Sequence, residues 1–223
     1  MVIDRAIPAA VHGHYWLRPA DPEAPAAGDA PLLVGFHGYG EDGEGFLESL
    51  ERIPGAASWH LVSVQGLHPF YTRDGRVVAG WMTRFDRELA IADNTAYARA
   101  AVEAARSEVR ASPLVVFAGF SQGVAMAYRA AAAMPVRGLI ALAGDVPPEV
   151  DPSRLPAVLI GRGRGDSWYD EAKLTADLDR LAAAGVPTET CVFEGGHEWT
   201  PEFLEAAGAF LERLRDRASG PPG

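Results

Sequence analysis

One stretch restricts the fold of this chain more than any other. Pro113-Leu114-Val115-Val116-Phe117-Ala118 is a continuous apolar run rich in β-branched residues, as expected of a buried strand. It ends in Gly119-Phe120-Ser121-Gln122-Gly123, after which Val124-Ala125-Met126-Ala127-Tyr128-Arg129-Ala130 is strong helix-forming material. A strand that becomes a helix across one pentapeptide must bend sharply. Glycines on both sides of Ser121 suit a turn where larger side chains would collide with the neighbouring strand and helix. A serine held on such a turn stands where a nucleophile is needed.

The rest of the chain repeats the alternation of strand and helix. Val11, Gly13, Tyr15 and Leu17 fall on one face of an expected edge strand, with His12 and His14 on the other. Two histidines at that spacing are a possible metal grip, but no further ligand cluster accompanies them, and no metal is expected. Prolines at 19, 22, 25 and 31 make the next segment a loop. Leu32-Leu33-Val34-Gly35-Phe36 is a strand, Phe46, Leu47, Leu50 and Ile53 mark a helix, and residues 59–64 form the next strand. Residues 65–86 show no clear period. Their aromatics, Phe70, Tyr71 and Trp81, read as the wall of a site.

Residues 87–111 form the longest helical stretch, and strands are expected at 138–143, 157–160 and 188–193. Helix follows over 168–184, stopped by Gly185, and another opens with Thr200 as N-cap and Pro201 in its first turn. The pattern predicts an α/β fold, a mainly parallel central sheet with helices on both faces, in a single domain over 1–217. The short connection between the strands at 138–143 and 157–160 leaves no room for a lid domain. Residues 218–223, Ala-Ser-Gly-Pro-Pro-Gly, are expected to be a disordered tail.

Composition narrows the function classes. A formal charge of −10 argues against nucleic acid as a partner and against adsorption to anionic lipid by charge. No apolar run is long enough for a membrane span and the N-terminus lacks a signal peptide's apolar core, so the expected location is cytoplasmic. Cys191 is the only cysteine, which excludes an intramolecular disulfide, and it reads as a buried small hydrophobe.

A serine hydroxyl needs a base to take its proton, a carboxylate to hold that base, and donors for the oxygen of a tetrahedral intermediate. Ser121, Asp166 and His197 each follow a strand and occur in the order Ser, acid, His that α/β-hydrolases use. Among the other histidines, His37 lies beside the turn after the 32–36 strand, where a structural hydrogen bond suits it better. Asp170 and Asp145 are the rival acids, and Glu198 reads as a solvated charge. The Gln122 N–H at the helix start and the Tyr39 N–H in His37-Gly38-Tyr39-Gly40 are the expected oxyanion donors. Gly161-Arg162-Gly163-Arg164-Gly165 lacks the pattern of a phosphate cradle and reads as a turn delivering the acid.

These residues resemble the small, lidless phospholipase/carboxylesterase branch of the α/β-hydrolases, which includes acyl-protein thioesterases. The resemblance rests on His37-Gly38-Tyr39-Gly40-Glu41-Asp42, the Gly-Phe-Ser-Gln-Gly elbow, Gly163-x-x-Asp166 and Gly196-His197, and runs from about Leu32 to Leu214. It implies Ser121 as nucleophile, Asp166 as acid, His197 as base, an oxyanion hole from Tyr39 and Gln122, and hydrolysis of carboxylic or thio esters without a cofactor. Two departures touch the substrate groove. Trp81-Met82-Thr83-Arg84-Phe85-Asp86 stands where family members often carry Trp-Phe-Asp, and Tyr39 stands where Leu is common. Phe70, Tyr71, Trp81 and Trp168 are the candidate groove residues.

The expectation is a serine carboxylesterase for short- to medium-chain esters, acting on a small-molecule substrate as a monomer or homodimer. A lysophospholipase or acyl-thioesterase on long chains is the alternative within the same chemistry. A catalytically retired binding module is the alternative outside it.

Overall fold

In chain order, residues 1–24 and 29–219 of the computed structural model form the strands β1 (Tyr15–Arg18), β2 (Ala30–Phe36), β3 (His60–Val64), β4 (His68–Tyr71), β5 (Val77–Gly80), β6 (Ala111–Phe120), β7 (Gly138–Leu142), β8 (Ala157–Gly163) and β9 (Thr188–Phe193). The helices are α1 (Gly43–Glu51), α2 (Arg87–Glu108), α3 (Gln122–Ala133), α4 (Glu171–Ala183) and α5 (Pro201–Ser219). One sheet has the order β1-β3-β2-β6-β7-β8-β9, and β4 and β5 form a separate hairpin. All neighbours in the large sheet are parallel except β1, which runs antiparallel to β3 with Tyr15 opposite Val64.

Both faces of the sheet are covered because its strands are apolar on both sides. Leu32, Val34, Phe117, Ala141 and Ile160 pack with the buried faces of α2, α3 and α4. Their alternates Leu33, Val116, Ile140 and Leu159 pack with Phe46 and Leu50 of α1 and with Phe203, Phe210 and Leu211 of α5. Continuous apolar runs are what a doubly covered parallel sheet requires. The expected α/β architecture, a mainly parallel sheet with helices on both faces, is therefore present, and its parallel strands direct their C-terminal ends to one edge.

Several local expectations change. The N-terminal strand begins only at Tyr15, not Val11. Residues 65–86 are not irregular: β4 and β5 pair with Tyr71 opposite Val77, and Thr72 closes the turn by accepting the Arg76 N–H at 3.1 Å. Helix α4 starts at Glu171, capped by Asp170, whose carboxylate accepts the Lys173 N–H at 2.9 Å. It ends as expected, with Gly185 at φ +71°. Cys191 is half-buried rather than buried, because β9 lies at the sheet's edge. Helix α5 runs through Ala218 to Ser219, two residues into the expected tail, and residues 220–223 lie outside the described residues, as do 25–28 of the proline-rich loop. Among the described residues, no helix is long and apolar enough to cross a membrane and no cluster of potential metal ligands occurs.

Behind β7 and β8, Asp177 of α4 is buried and accepts the Val146 N–H at 3.1 Å and the Tyr169 O–H at 2.9 Å. Burial pushes its carboxyl up, the Val146 and Tyr169 donors pull it back, and the balance lies at about 6. The raised value means that the native state binds this proton more tightly than the unfolded chain does. Asp177 therefore subtracts stability above that pH, and the penalty is relieved as pH falls towards the unfolded value. Between about pH 8 and pH 5 the relief is on the order of 1 kcal/mol. Asp177→Asn keeps an acceptor oxygen for both donors and removes the titration. Urea unfolding should show the advantage of D177N over the parent shrinking by that amount from the higher pH to the lower. A constant difference would contradict the burial argument.

Candidate active site

Four strand ends build the site. The first is Phe120 at the end of β6, followed by Ser121 at φ 52°, ψ −120°. A non-glycine residue in this region is strained by about 1–3 kcal/mol and persists only where its surroundings hold it. Here the Ser121 N–H donates to Leu142 O at 2.9 Å, and α3 starts at the next residue. The flanking glycines are needed for contact. A Cβ at Gly123 would lie 1.9 Å from Phe36 O, and one at Gly119 would lie 2.6 Å from Gly123 O.

The β8 end delivers Asp166, buried, and the β9 end delivers His197, half-buried. His197 Nδ1 lies 2.8 Å from Asp166 Oδ2. The other carboxylate oxygen accepts the Trp168 and Tyr169 N–H groups at 2.8 and 3.0 Å. Burial pushes the Asp166 carboxyl up, but the Tyr169 amide, the His197 imidazole and the Trp168 amide outweigh it and hold it below the usual range. It is thus an acceptor suited to the tautomer with the proton on Nδ1, in which Nε2 carries the free lone pair. Close passage of two glycine turns makes the pairing possible, since a Cβ at Gly163 would lie 2.1 Å from Gly196 O. The rival acids are placed elsewhere: Asp170 caps α4, and Asp145 is exposed. Phe120 packs on the imidazole, with ring centroids 4.9 Å apart.

The β2 end supplies the turn 37–41. His37 is buried, with Nδ1 2.7 Å from Gly38 O and Nε2 accepting the Gly66 N–H at 2.9 Å. Burial lowers its pKa, so it is a neutral structural ring, as its neighbours in sequence suggested. Among the described residues neither the Tyr39 nor the Gln122 N–H has a protein acceptor, although the Gly38, Gly40 and Glu41 amides all do. Two free amides on the turns beside Ser121 are what a developing oxyanion requires.

The groove residues divide. Trp81 is fully buried, so its assignment to the groove is corrected. Its indole N–H donates to His37 O at 2.8 Å, its carbonyl accepts from Asn94 Nδ2 at 2.8 Å, and its edge packs on Phe36. It anchors the turn from beneath. Phe70 is half-buried and stacks on the Tyr39 ring at 5.2 Å, while Tyr39, Tyr71 and Trp168 are 62%, 75% and 74% exposed. The Gln122 side chain was not anticipated: its Oε1 accepts the Trp81 N–H at 2.8 Å and its Nε2 donates to Met82 O at 3.1 Å, tying the elbow to the segment after β5. Of the basic residues near these loops, Arg162 is buried against Tyr169 O and Arg164 pairs with Glu194. Glu198 is exposed and accepts the Gly196 N–H at 3.0 Å.

A serine on a strained strand–helix turn, and an Asp–His pair at the ends of two neighbouring strands of the same sheet, place the molecule among the α/β-hydrolases. The chain belongs, more closely, to the Phospholipase/Carboxylesterase family of hydrolases, whose sequence profile matches residues 22–214. Similar solved structures include esterase PE8 (24% identity, TM-score 0.68, covering 92% of this chain and 100% of that one) and Zea mays acyl-protein thioesterase 2 (17%, 0.69, 92% and 100%). The Bacillus cereus carboxylesterase superposes equally well (16% identity, TM-score 0.69, 91% and 94%). At such identities they share the fold. A curated relative, bifunctional protein HldE of Azorhizobium caulinodans, is 32% identical over 192 residues, 82% of this chain. The chain spans 37% of that relative's length.

Proposed function

We infer that the protein is a serine carboxylesterase that hydrolyses short- to medium-chain carboxylic esters through an acyl-enzyme. The observation that carries this reading is the 2.8 Å His197–Asp166 pair set at the same sheet edge as the strained Ser121. Ser121 Oγ attacks the ester carbonyl while His197 Nε2 takes its proton. The negative oxygen is received by the Tyr39 and Gln122 amides. Collapse expels the alcohol, which is protonated by the imidazolium, and water repeats the sequence on the acyl-serine. Asp166 stays ionised throughout and stabilises the imidazolium. The working unit in this reading is one domain that extends to the end of α5 at Ser219, two residues beyond the expected boundary at 217, a monomer or homodimer in the cytoplasm, needing no cofactor.

Trp81, buried in the core, is not available to line an acyl groove, which supports the shorter chains. Exposed Tyr39, Tyr71 and Trp168 support the second reading, a lysophospholipase or acyl-thioesterase, because they offer apolar surface to a long chain. A kcat/KM series on p-nitrophenyl esters from acetate to palmitate separates the two. A maximum between acetate and butyrate is expected. A steady rise to palmitate would replace the first reading by the second, and no turnover above background would leave a binding module.

A further inference from the structure

The turn that presents Tyr39 holds a carboxylate with no part in the chemistry above. Glu41 is half-buried, and its Oε2 accepts the Gly38 N–H at 2.7 Å. The Glu41 N–H returns to Gly38 O at 3.3 Å, closing a small ring within the turn. Outside that ring, Gly40 N–H donates to Ala79 O at 3.0 Å and Ala79 N–H to Glu41 O at 2.8 Å, fastening the turn to β5. Every N–H from Gly38 to Glu41 therefore has an acceptor except that of Tyr39. The space is tight: a Cβ at Gly38 would lie 3.0 Å from Glu41 Oε2 and 3.1 Å from Phe120 Cδ1, the ring that packs on His197.

Resting on the serine-esterase reading, the geometry points to Glu41 as a positioning residue for the oxyanion turn. By taking the Gly38 N–H it fixes the one conformation in which the Tyr39 N–H is left for substrate. Glu41 itself touches no reacting atom. Burial pushes its carboxyl above the ordinary range, Asp42 adds to the rise, and the Gly38 amide and His197 pull against it. A carboxylate kept against that cost fits a group whose hydrogen bond matters to the turn.

The test uses the full chain and p-nitrophenyl butyrate. Glu41→Ala should lower kcat by about 10- to 100-fold, less than the roughly 10²- to 10³-fold that outright loss of an oxyanion donor costs because the Tyr39 N–H is misaligned and not removed, with KM within about twofold. Glu41→Gln keeps an acceptor for the Gly38 N–H and should restore kcat to within about threefold of the parent. A boronic acid that forms a tetrahedral adduct on the serine should bind E41A more weakly by the same factor as kcat/KM falls. Unchanged kcat in E41A would overturn the assignment. So would an E41Q as slow as E41A, or a rise in KM alone. If E41A does not fold, Glu41→Asp is read in its place: the side chain is one methylene too short for the Gly38 N–H, so a loss is expected and parental kcat overturns the proposal. Ser121→Ala is run alongside. An active S121A removes the esterase reading itself, whereas an inactive S121A beside a fully active E41A removes only the role of Glu41.

Discussion

Ser121→Ala should leave a folded protein whose esterase turnover is lower by on the order of 10⁴- to 10⁶-fold. The size follows from the division of labour. Without the hydroxyl there is no acyl-enzyme, and His197 has no proton to take from a positioned nucleophile. Only the free amides and substrate binding remain to accelerate attack by water. The fold should tolerate the change because the elbow is held by backbone: Ser121 N–H to Leu142 O, and the Gly119 and Gly123 contacts. Alanine occupies the same strained φ of 52° at a cost close to that of serine. Thermal unfolding within a few degrees of the parent, with kcat at background, is the expected pair of readings. Residual turnover above about a tenth of the parent would contradict the serine mechanism.

Asp166→Asn is expected to be nearly as damaging, about 10⁴-fold in kcat with little change in KM. Geometry gives the reason. The Trp168 and Tyr169 amides would hold the new side chain by its oxygen, as they hold Oδ1 now. Its amide NH₂ would then face His197 Nδ1 where a carboxylate oxygen sits at 2.8 Å. A donor there forces the tautomer with the proton on Nε2, so the ring cannot accept the serine proton. Asp170→Asn is the matched control. Asparagine caps a helix as well as aspartate does, and Asp170 serves α4 alone, so kcat should stay within about threefold of the parent. Steady-state kinetics on the two variants decide the acid; a dead D170N beside an active D166N would reverse the assignment.

How much was legible in the sequence varies with the kind of signal. The sheet, the elbow and the order of Ser121, Asp166 and His197 could be read because each rests on local chemistry: apolar runs on both faces, glycines at forced contacts, loops after strands. The β4–β5 hairpin was also written locally, in Asp74-Gly75 flanked by His68-Pro69-Phe70-Tyr71 and Val77-Val78-Ala79, but Pro69 and the lack of alternation hid it. Trp81 was misplaced because an aromatic in a loop reads the same whether it lines a groove or fills a core. Its fate is set by Asn94 and His37, 13 and 44 residues away in sequence, and nothing local records those bonds. The bonds of the Glu41 carboxylate and of the Gln122 side-chain amide were missed for a related reason. Their partners are backbone atoms, which every sequence contains.

Whether Ser121 is an activated nucleophile is decided by the mass of the protein after reaction with a fluorophosphonate. One stoichiometric adduct is expected, mapped to the peptide carrying Ser121, formed slowly in Asp166→Asn and absent in Ser121→Ala. An unmodified parent protein, or an adduct on any other residue, would contradict it.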